Sequence, residues 1–371
     1  MDFGLISPIL DKVKEDNKLK SHLILFGTHI SEGHGYTYND VRNAGYDIDA
    51  SAQTLYADDS SRGTALTFAK TAEQLAEIFD DLKPDALVIA GDRYEMLAAA
   101  GVATVMNIVI IHLYGGDTSL GAYDEQIRHA LTKLSHLHFV SNDDSLKRVI
   151  QMGELPERVY NFGSPSLDHL NKVQFINKNE LEKNLGITFG AQNYLFTYHP
   201  VTRGETGARQ EIKEILSALS ELPQDVHLFF TSPNADTEGR IILDEITTFT
   251  KDRANSWLFN SLGTQRFFSM MKYVDGIIGN SSSGLYEAPS FGIPTINIGE
   301  RQKGRLAGNS VIHCACEQKA ILNSIQQSKT MNCSGITNPY FQDGNAAEKI
   351  ISTIKEKLPL DKLLVKPFHT L

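Results

Sequence analysis

Short apolar runs of strand length recur along this chain, and stretches with an apolar period of about 3.6 residues lie between them; that alternation commits it to βα units around parallel sheets. In the first half the runs are Leu23 to Gly27, Ala86 to Ala90, Val109 to Leu113 and Leu137 to Val140. They read as one sheet, with Gly27, Gly91 and Gly115-Gly116 ending or following the first three as turn signals. The stretch Thr64 to Leu82 reads as a helix presenting Leu66, Ala69, Leu75, Ile78 and Phe79, closed by Pro84. After the polar interval Asn177 to Asn184 a second set begins, with strands expected at Tyr194 to Tyr198, Val226 to Phe230, Gly276 to Ile278 and Thr295 to Ile298. Near the end, Asn345 to Leu358 reads as a helix with Ala346, Ile350, Ile351, Ile354 and Leu358 on one face, which requires a docking surface.

The 371 residues exceed what one α/β domain of ~100–200 residues needs. The expected organisation is a Rossmann-like domain over 1–170, a nucleotide-binding Rossmann-like domain over 171–345, and a terminal helix and tail, 346–371, packing back on the first. Two doubly wound domains facing each other across a cleft direct strand C-termini, and so ligand groups, toward that cleft. With 41% hydrophobic and 22% charged residues the chain is neither disordered nor collagen-like. No apolar run approaches the ~20 residues of a membrane span, and Asp2 and Asp11 stand where a signal peptide would carry a basic, then apolar, opening. A formal charge of −10 argues against a nucleic-acid partner while leaving room for a small cationic pocket that takes a phosphorylated molecule. Three cysteines, Cys314, Cys316 and Cys333, cannot all pair, which fits a reducing cytoplasm. The segment around His313 reads as a strand rather than a metal site.

Chemistry-bearing residues gather at strand ends. Gly279-Asn280-Ser281-Ser282-Ser283-Gly284 joins a strand to a helix-like stretch, and its backbone N–H groups and hydroxyls suit a phosphate or, more plainly, cap a helix. One helical turn on, Glu287 is placed to accept the two hydroxyls of a ribose. Asp92 and Arg93, with Glu95 after them, follow one strand; Asp117 follows the next behind Gly115-Gly116; Asp124 lies seven residues later. Three carboxylates at adjacent strand ends can serve as acid and base, their crowding raising the proton affinity of at least one. Asp124 equally reads as a helix cap, and Arg128 and His129 as helix-face packing. His199, followed by Pro200, Thr202, Arg203 and Glu205, is placed to move a proton, to hold a phosphate or to serve structure alone. His29 lies past the first strand, beside the glycine-rich Glu32-Gly33-His34-Gly35, which reads as a mobile loop. Arg301, Lys303 and Arg305 form a basic loop that is either a focused phosphate site or a solvated turn. His136 and His138 read as strand-entry residues.

Taken together, Gly91-Asp-Arg-Tyr-Glu-Met-Leu-Ala-Ala-Ala, Gly115-Gly-Asp-Thr-Ser-Leu-Gly-Ala-Tyr-Asp-Glu-Gln-Ile-Arg-His-Ala, His199-Pro-Val-Thr-Arg and Gly279-Asn-Ser-Ser-Ser-Gly with Glu287 resemble the UDP-N-acetylglucosamine 2-epimerases, in collinear order over nearly the whole chain. The nearer resemblance is to the hydrolysing branch that supplies N-acetylmannosamine for sialic acid synthesis. It implies the glycosyltransferase-B arrangement of two Rossmann-like domains and a homodimer or homotetramer. It also implies a UDP-sugar substrate, with neither metal nor NAD required. By motif, Asp92, Asp117, Asp124 and His199 would be catalytic, with His29 a fifth member, while Arg93, Asn280, Ser281, Ser282, Glu287 and Arg301 would hold the UDP. Non-hydrolysing relatives carry a glutamine-histidine motif and a His-Arg-Arg-Glu-Asn stretch; Asp47 to Ser60 shows no such motif and the histidine stretch here is His-Pro-Val-Thr-Arg, both favouring hydrolysis.

Two departures stand out. Asp117 occupies a position usually held by glutamate, which points also to a 2,4-diacetamido-trideoxy donor of the legionaminic acid pathway. Relatives place a strand and a Gly-Thr-Arg turn ahead of the segment matching Asp2 to Pro8, so the first sheet is expected to have an open edge. A retaining glycosyltransferase of the same fold shares Glu287 and Ser281-Ser282 but would need an acceptor, and a non-catalytic nucleotide-sugar sensor would not need the acid and base candidates.

Overall fold

The computed structural model describes residues 2–32, 36–56, 58, 60–120, 123–201, 206–234 and 238–370. The chain divides into two compact units: 1–117 with 123–172 and 340–371, and 118–122 with 173–339. Both are α/β with parallel sheets. No helix among the described residues is long and apolar enough to cross a membrane.

In the first unit β3 (Ala86–Ala90), β4 (Val109–Leu113), β5 (Leu137–Val140) and β6 (Val159–Asn161) form a four-stranded sheet in chain order, after β1 (Ile24–Phe26) and β2 (Ala50–Ala52), which pair only with each other. The single sheet expected from the first four apolar runs is therefore two. No described strand lies between β1 and β3, and Val88, at the centre of β3, keeps 41% of its surface exposed. By contrast every residue of β4 and β5 is buried, which is why both read as unbroken apolar runs. Leu75, Phe79, Ile89, Ala100, Ala103, Ile110 and Leu131 pack into one cluster between sheet and helices.

The helix expected from Thr64 runs from Ser61 to Leu82, and the Ser60 hydroxyl accepts the Gly63 N–H at its start. Its buried line is Gly63, Thr67, Thr71, Leu75 and Phe79, while Leu66 and Ala69 face outward. Thr71 can take an inward place because its hydroxyl donates to the Thr67 carbonyl at 2.8 Å.

In the second unit β7 (Gln192–Thr197), β8 (Val226–Thr231), β9 (Ser256–Phe259), β10 (Gly276–Gly279), β11 (Thr295–Ile298) and β12 (Val311–Cys314) are all parallel, in the order β9-β8-β7-β10-β11-β12. This is the doubly wound order, and strand succession reverses between β7 and β10. Its core gathers Phe196, Tyr198, Ile212, Leu228, Phe230, Ile278 and Ile296.

The terminal helix, Ala346–Glu356, belongs to the first unit, where the Asp168 carboxylate accepts the N–H groups of Ala346 and Ala347 at 3.1 and 2.7 Å. Ala346, Ile350, Ile351 and Ile354 are buried, but Leu358 is 39% exposed because the helix has ended before it. The tail then crosses the C-terminus of the helix Asp124–Leu134. Lys366 donates to the carbonyls of Lys133 and Ser135, each at 2.6 Å, and pairs at 2.8 Å with Glu154. That positive charge meets the negative end of the helix dipole. Glu154 also takes hydrogen bonds from Lys133 and His138. Burial alone would raise its pKa, but these bonds outweigh burial and hold it at about 2.

Because the folded pKa lies below the ordinary 4.5, Glu154 contributes its full stability above that pH and loses it as pH falls toward about 2. Glu154→Gln is expected to cost about 3 kcal/mol at pH 7 by urea unfolding, with a smaller deficit at pH 3. An equal deficit at both pH values would contradict this account.

Candidate active site

The first unit's site residues stand on the turns after β3 and β4 and on the helix that follows. In open parallel sheets ligands bind at the carboxyl ends of the strands, which is where these turns lie. Asp92 and Arg93 follow β3, and Arg93 pairs with Glu95, Nε to Oε2 at 3.4 Å. Asp117 follows β4 and is 3% exposed. Its Oδ1 accepts from Asn142 Nδ2 at 3.1 Å and from Ser145 Oγ at 2.8 Å. Both partners come from the cap and first turn of the helix after β5, where Asn142 also caps the Ser145 N–H. Gly116 lies at φ +80°, and a Cβ there would sit 2.5 Å from the Ser145 carbonyl oxygen, so only glycine lets the Asp117 turn approach that helix.

The group that ties this set together is Arg128. Only 1% exposed, it donates to Asp92 Oδ2 through Nε at 3.0 Å and also through Nη2. Its Nη1 reaches the Asp117 carbonyl at 2.9 Å and Glu125 Oε2 at 2.8 Å. Glu125 in turn meets His129 Nε2 at 3.1 Å. The expected crowding of bare carboxylates is thus relieved by a buried countercharge with a planar fork that suits it. Asp124, 6% exposed, opens the helix that carries Arg128 one turn later.

Arg128, read above as helix-face packing, is the main residue that sequence reasoning missed; Asn142 and Ser145 are two more. The available signals were an arginine four residues beyond Asp124 and an Asn-x-x-Ser cap directly after β5. His29 stands apart on the short turn Gly27–Ile30 after β1, with its Nδ1 2.7 Å from the Thr37 hydroxyl.

The second unit builds its set at the reversal between β7 and β10. His199 follows β7 and is 2% exposed. Asn280 follows β10 and is fully buried; its Oδ1 accepts the His199 N–H at 2.7 Å and its Nδ2 donates to the His199 carbonyl at 2.8 Å. One amide therefore fixes the histidine's backbone from both sides. His199 Nδ1 accepts the Asn234 N–H at 3.0 Å, which leaves the ring proton of the neutral form on Nε2. Strands β7 and β10 come this close because position 279 is glycine, where a Cβ would lie 2.0 Å from the Thr197 carbonyl oxygen.

Beyond Asn280, Ser281 Oγ accepts the Ser283 N–H at 3.3 Å, Ser282 leads into the short helix Ser283–Tyr286, and Glu287, 9% exposed, ends it. Arg301 and the buried Gln302 both donate to the Asn280 carbonyl, at 3.2 and 2.8 Å. Of the expected basic loop Arg301 joins this turn, Arg305 donates to Gln302, and Lys303 pairs with Glu300 and is 62% exposed. Thr202, Arg203 and Glu205 lie outside the described residues, as do Gly33, His34 and Gly35.

Replacing Arg128 by Met leaves Asp92 and Glu125 without their buried partner and is expected to cost about 3–5 kcal/mol in urea unfolding. Asn280→Ala strands the His199 backbone groups at about 1–3 kcal/mol. A wild-type midpoint for Arg128→Met would show that the guanidinium does not hold the first unit together.

Comparison with known proteins bears on the fold and on the family of the chain. The family model described as UDP-N-acetylglucosamine 2-epimerase matches residues 11–355. The GDP/UDP-N,N'-diacetylbacillosamine 2-epimerase (hydrolyzing) of Campylobacter jejuni is 37% identical over 369 residues, covering 99% of this chain and 96% of that protein. Polysialic acid biosynthesis protein P7 of Escherichia coli is 33% identical, covering 96% of this chain and 92% of its own. Among solved structures, UDP-GlcNAc 2-epimerase from Neisseria meningitidis bound to UDP-GlcNAc superposes with a TM-score of 0.80 at 19% identity, covering 95% of this chain and 96% of that one. At that identity the likeness speaks for the fold.

Proposed function

Since this chain belongs to the UDP-N-acetylglucosamine 2-epimerase family, we propose that it is a hydrolysing member, releasing UDP and a 2-epimerised free sugar from a UDP-linked 2-acetamido sugar. The observation that carries the reading is the cluster in the first unit, where Asp92, Asp117 and the helix opening at Asp124 are joined through the buried Arg128. In the proposed reaction a carboxylate of that cluster removes the proton from C2. The C2–H electron pair becomes the C1=C2 double bond as the bond from C1 to the phosphate oxygen breaks, and UDP departs with that bond's electrons. Water then adds across the resulting 2-acetamidoglucal: its oxygen bonds C1, and a proton reaches C2 from the opposite face, inverting that centre.

A proton next to an acetal carbon is weakly acidic, so the leaving diphosphate must be stabilised as its charge develops. His199, whose Nε2 carries the proton, and Arg301 take that role, with Asn280, Ser281 and Ser282 forming the diphosphate turn, Arg93 contributing a further cation and Glu287 holding the ribose. His29 is assigned to the sugar end. The hydrolysing assignment draws support from His199-Pro-Val-Thr-Arg, from the lack of a glutamine-histidine motif in Asp47 to Ser60, and from the relative whose name includes "hydrolyzing". That same relative, together with Asp117 in place of glutamate, favours a 2,4-diacetamido-2,4,6-trideoxy donor. The family model's description favours UDP-N-acetylglucosamine as the second donor to try.

Incubated in deuterium oxide with each donor in turn, the protein is expected to release UDP and a free 2-epimer carrying one deuterium at C2. UDP release without deuterium at C2 would eliminate the proton-abstraction route, and product formed only when a glycan acceptor is added would point to a glycosyltransferase instead. Asp92→Asn is expected to lower kcat by about 10²–10⁴-fold, measured as initial UDP release; unchanged turnover would remove Asp92 from the chemistry.

A further inference from the structure

The reaction proposed above leaves His112 unused, although this ring lies fully buried on β4 between the elements that carry the site. Its Nε2 is 3.0 Å from the carbonyl oxygen of Gly91, the residue directly before Asp92. A carbonyl only accepts, so Nε2 carries the proton. Burial pushes the ring's pKa down to about 3, so it is neutral, and Nδ1 is left as an acceptor. That acceptor is 3.3 Å from the hydroxyl of Thr132. Thr132 lies one helical turn beyond Arg128, and its one hydroxyl proton is shared between Nδ1 and the Arg128 carbonyl, which is 3.1 Å from Oγ1. The imidazole thus spans from the turn that presents Asp92 to the helical turn that presents Arg128, the two halves of the buried ion pair.

The surrounding backbone makes room for this ring. Gly91 takes φ +79° as the chain leaves β3, and its N–H is bound by the Leu113 carbonyl at 3.2 Å, so two adjacent residues of β4 hold both backbone groups of this glycine. A Cβ at Gly115 would stand 2.9 Å from His112 Nδ1 and 3.1 Å from Thr132 Oγ1, so the first of the paired glycines is required by the histidine and threonine.

We propose that His112 is a positioning residue for the epimerisation, its N–H setting the Gly91 turn, and so the direction of the Asp92 carboxylate, relative to Arg128. This rests on the reading of Asp92 as a catalytic carboxylate. Such a residue acts on the placement of the base rather than on ground-state affinity for the nucleotide, and displacement of a reacting group by about 1 Å costs up to ~10²-fold in rate.

Two amide substitutions separate the halves of the contact. His112→Gln can bring an N–H to where Nε2 stands, while His112→Asn reaches only as far as Nδ1 and loses Gly91. With the UDP-sugar the wild type turns over, His112→Asn is expected to lower kcat ~30-fold with KM changed by less than about 3-fold, and His112→Gln to recover to within about 5-fold of wild type. Equal losses in the two variants, a wild-type kcat in His112→Asn, or a loss residing in KM would overturn the proposal. Nitrogen-15 NMR of the wild-type histidines, with the His112 ring assigned through bonds from its own backbone amide, should show the Nε2-protonated neutral form at pH 7. An Nδ1-protonated or cationic ring would overturn the proposal whether or not the variants fold. Failure of the unsubstituted protein to act on any UDP-sugar would instead sink the functional reading, and the proposal with it; that outcome is distinguishable because it requires no substitution.

Discussion

A guanidinium held almost entirely out of water is the constraint on which the first unit's site depends. Such a charge is tolerated only where its donors are met by carboxylates and carbonyls in fixed positions, and Arg128 finds them in Asp92, Glu125 and the backbone of Asp117. Three separate stretches, the turns after β3 and β4 and the helix from Asp124, are therefore locked to one group. The close approach at Gly116 and the Asn142–Ser145 cap that receives Asp117 belong to the same arrangement. Loosening any one of them exposes the rest to an unpaired buried charge. The tail from Lys366 secures the far end of that helix, so both of its ends are tied to the sheet or to the chain beside it.

The second unit solves a similar positioning problem with neutral groups. Asn280 grips both backbone groups of His199, and its own carbonyl is taken by Arg301 and Gln302. A neutral amide at that point introduces no negative charge beside a turn proposed to receive a diphosphate. The location follows from topology, since β7 and β10 are neighbours whose connections run to opposite sides of the sheet, opening a crevice at their carboxyl ends.

Much of the fold was legible because buried parallel strands are continuous apolar runs. β3, β4, β5, β7, β8, β10 and β11 all fall on such runs, and glycine follows or ends several of them. β2, β6 and β9 were not anticipated: Ala50–Ala52, Val159–Asn161 and Ser256–Phe259 are short and mix polar with apolar residues. In the helix Ser61–Leu82 the expected Leu75, Ile78 and Phe79 do pack inward, but nearer its start Thr67 and Thr71 take the inner places expected of Leu66 and Ala69. Leu358, expected on one face of the terminal helix, lies beyond its end at Glu356.

By itself the sequence determined the alternation of strand and helix, the turns at strand ends, and which chemically capable residues stand on those turns, because all of these depend on neighbours a few positions away. Only the tertiary structure decided which of them meet. Arg128 joins Asp92 across 36 positions and Asn280 joins His199 across 81. Such pairings depend on the order in which strands lie side by side, and a local pattern of apolar and polar residues carries no record of that order.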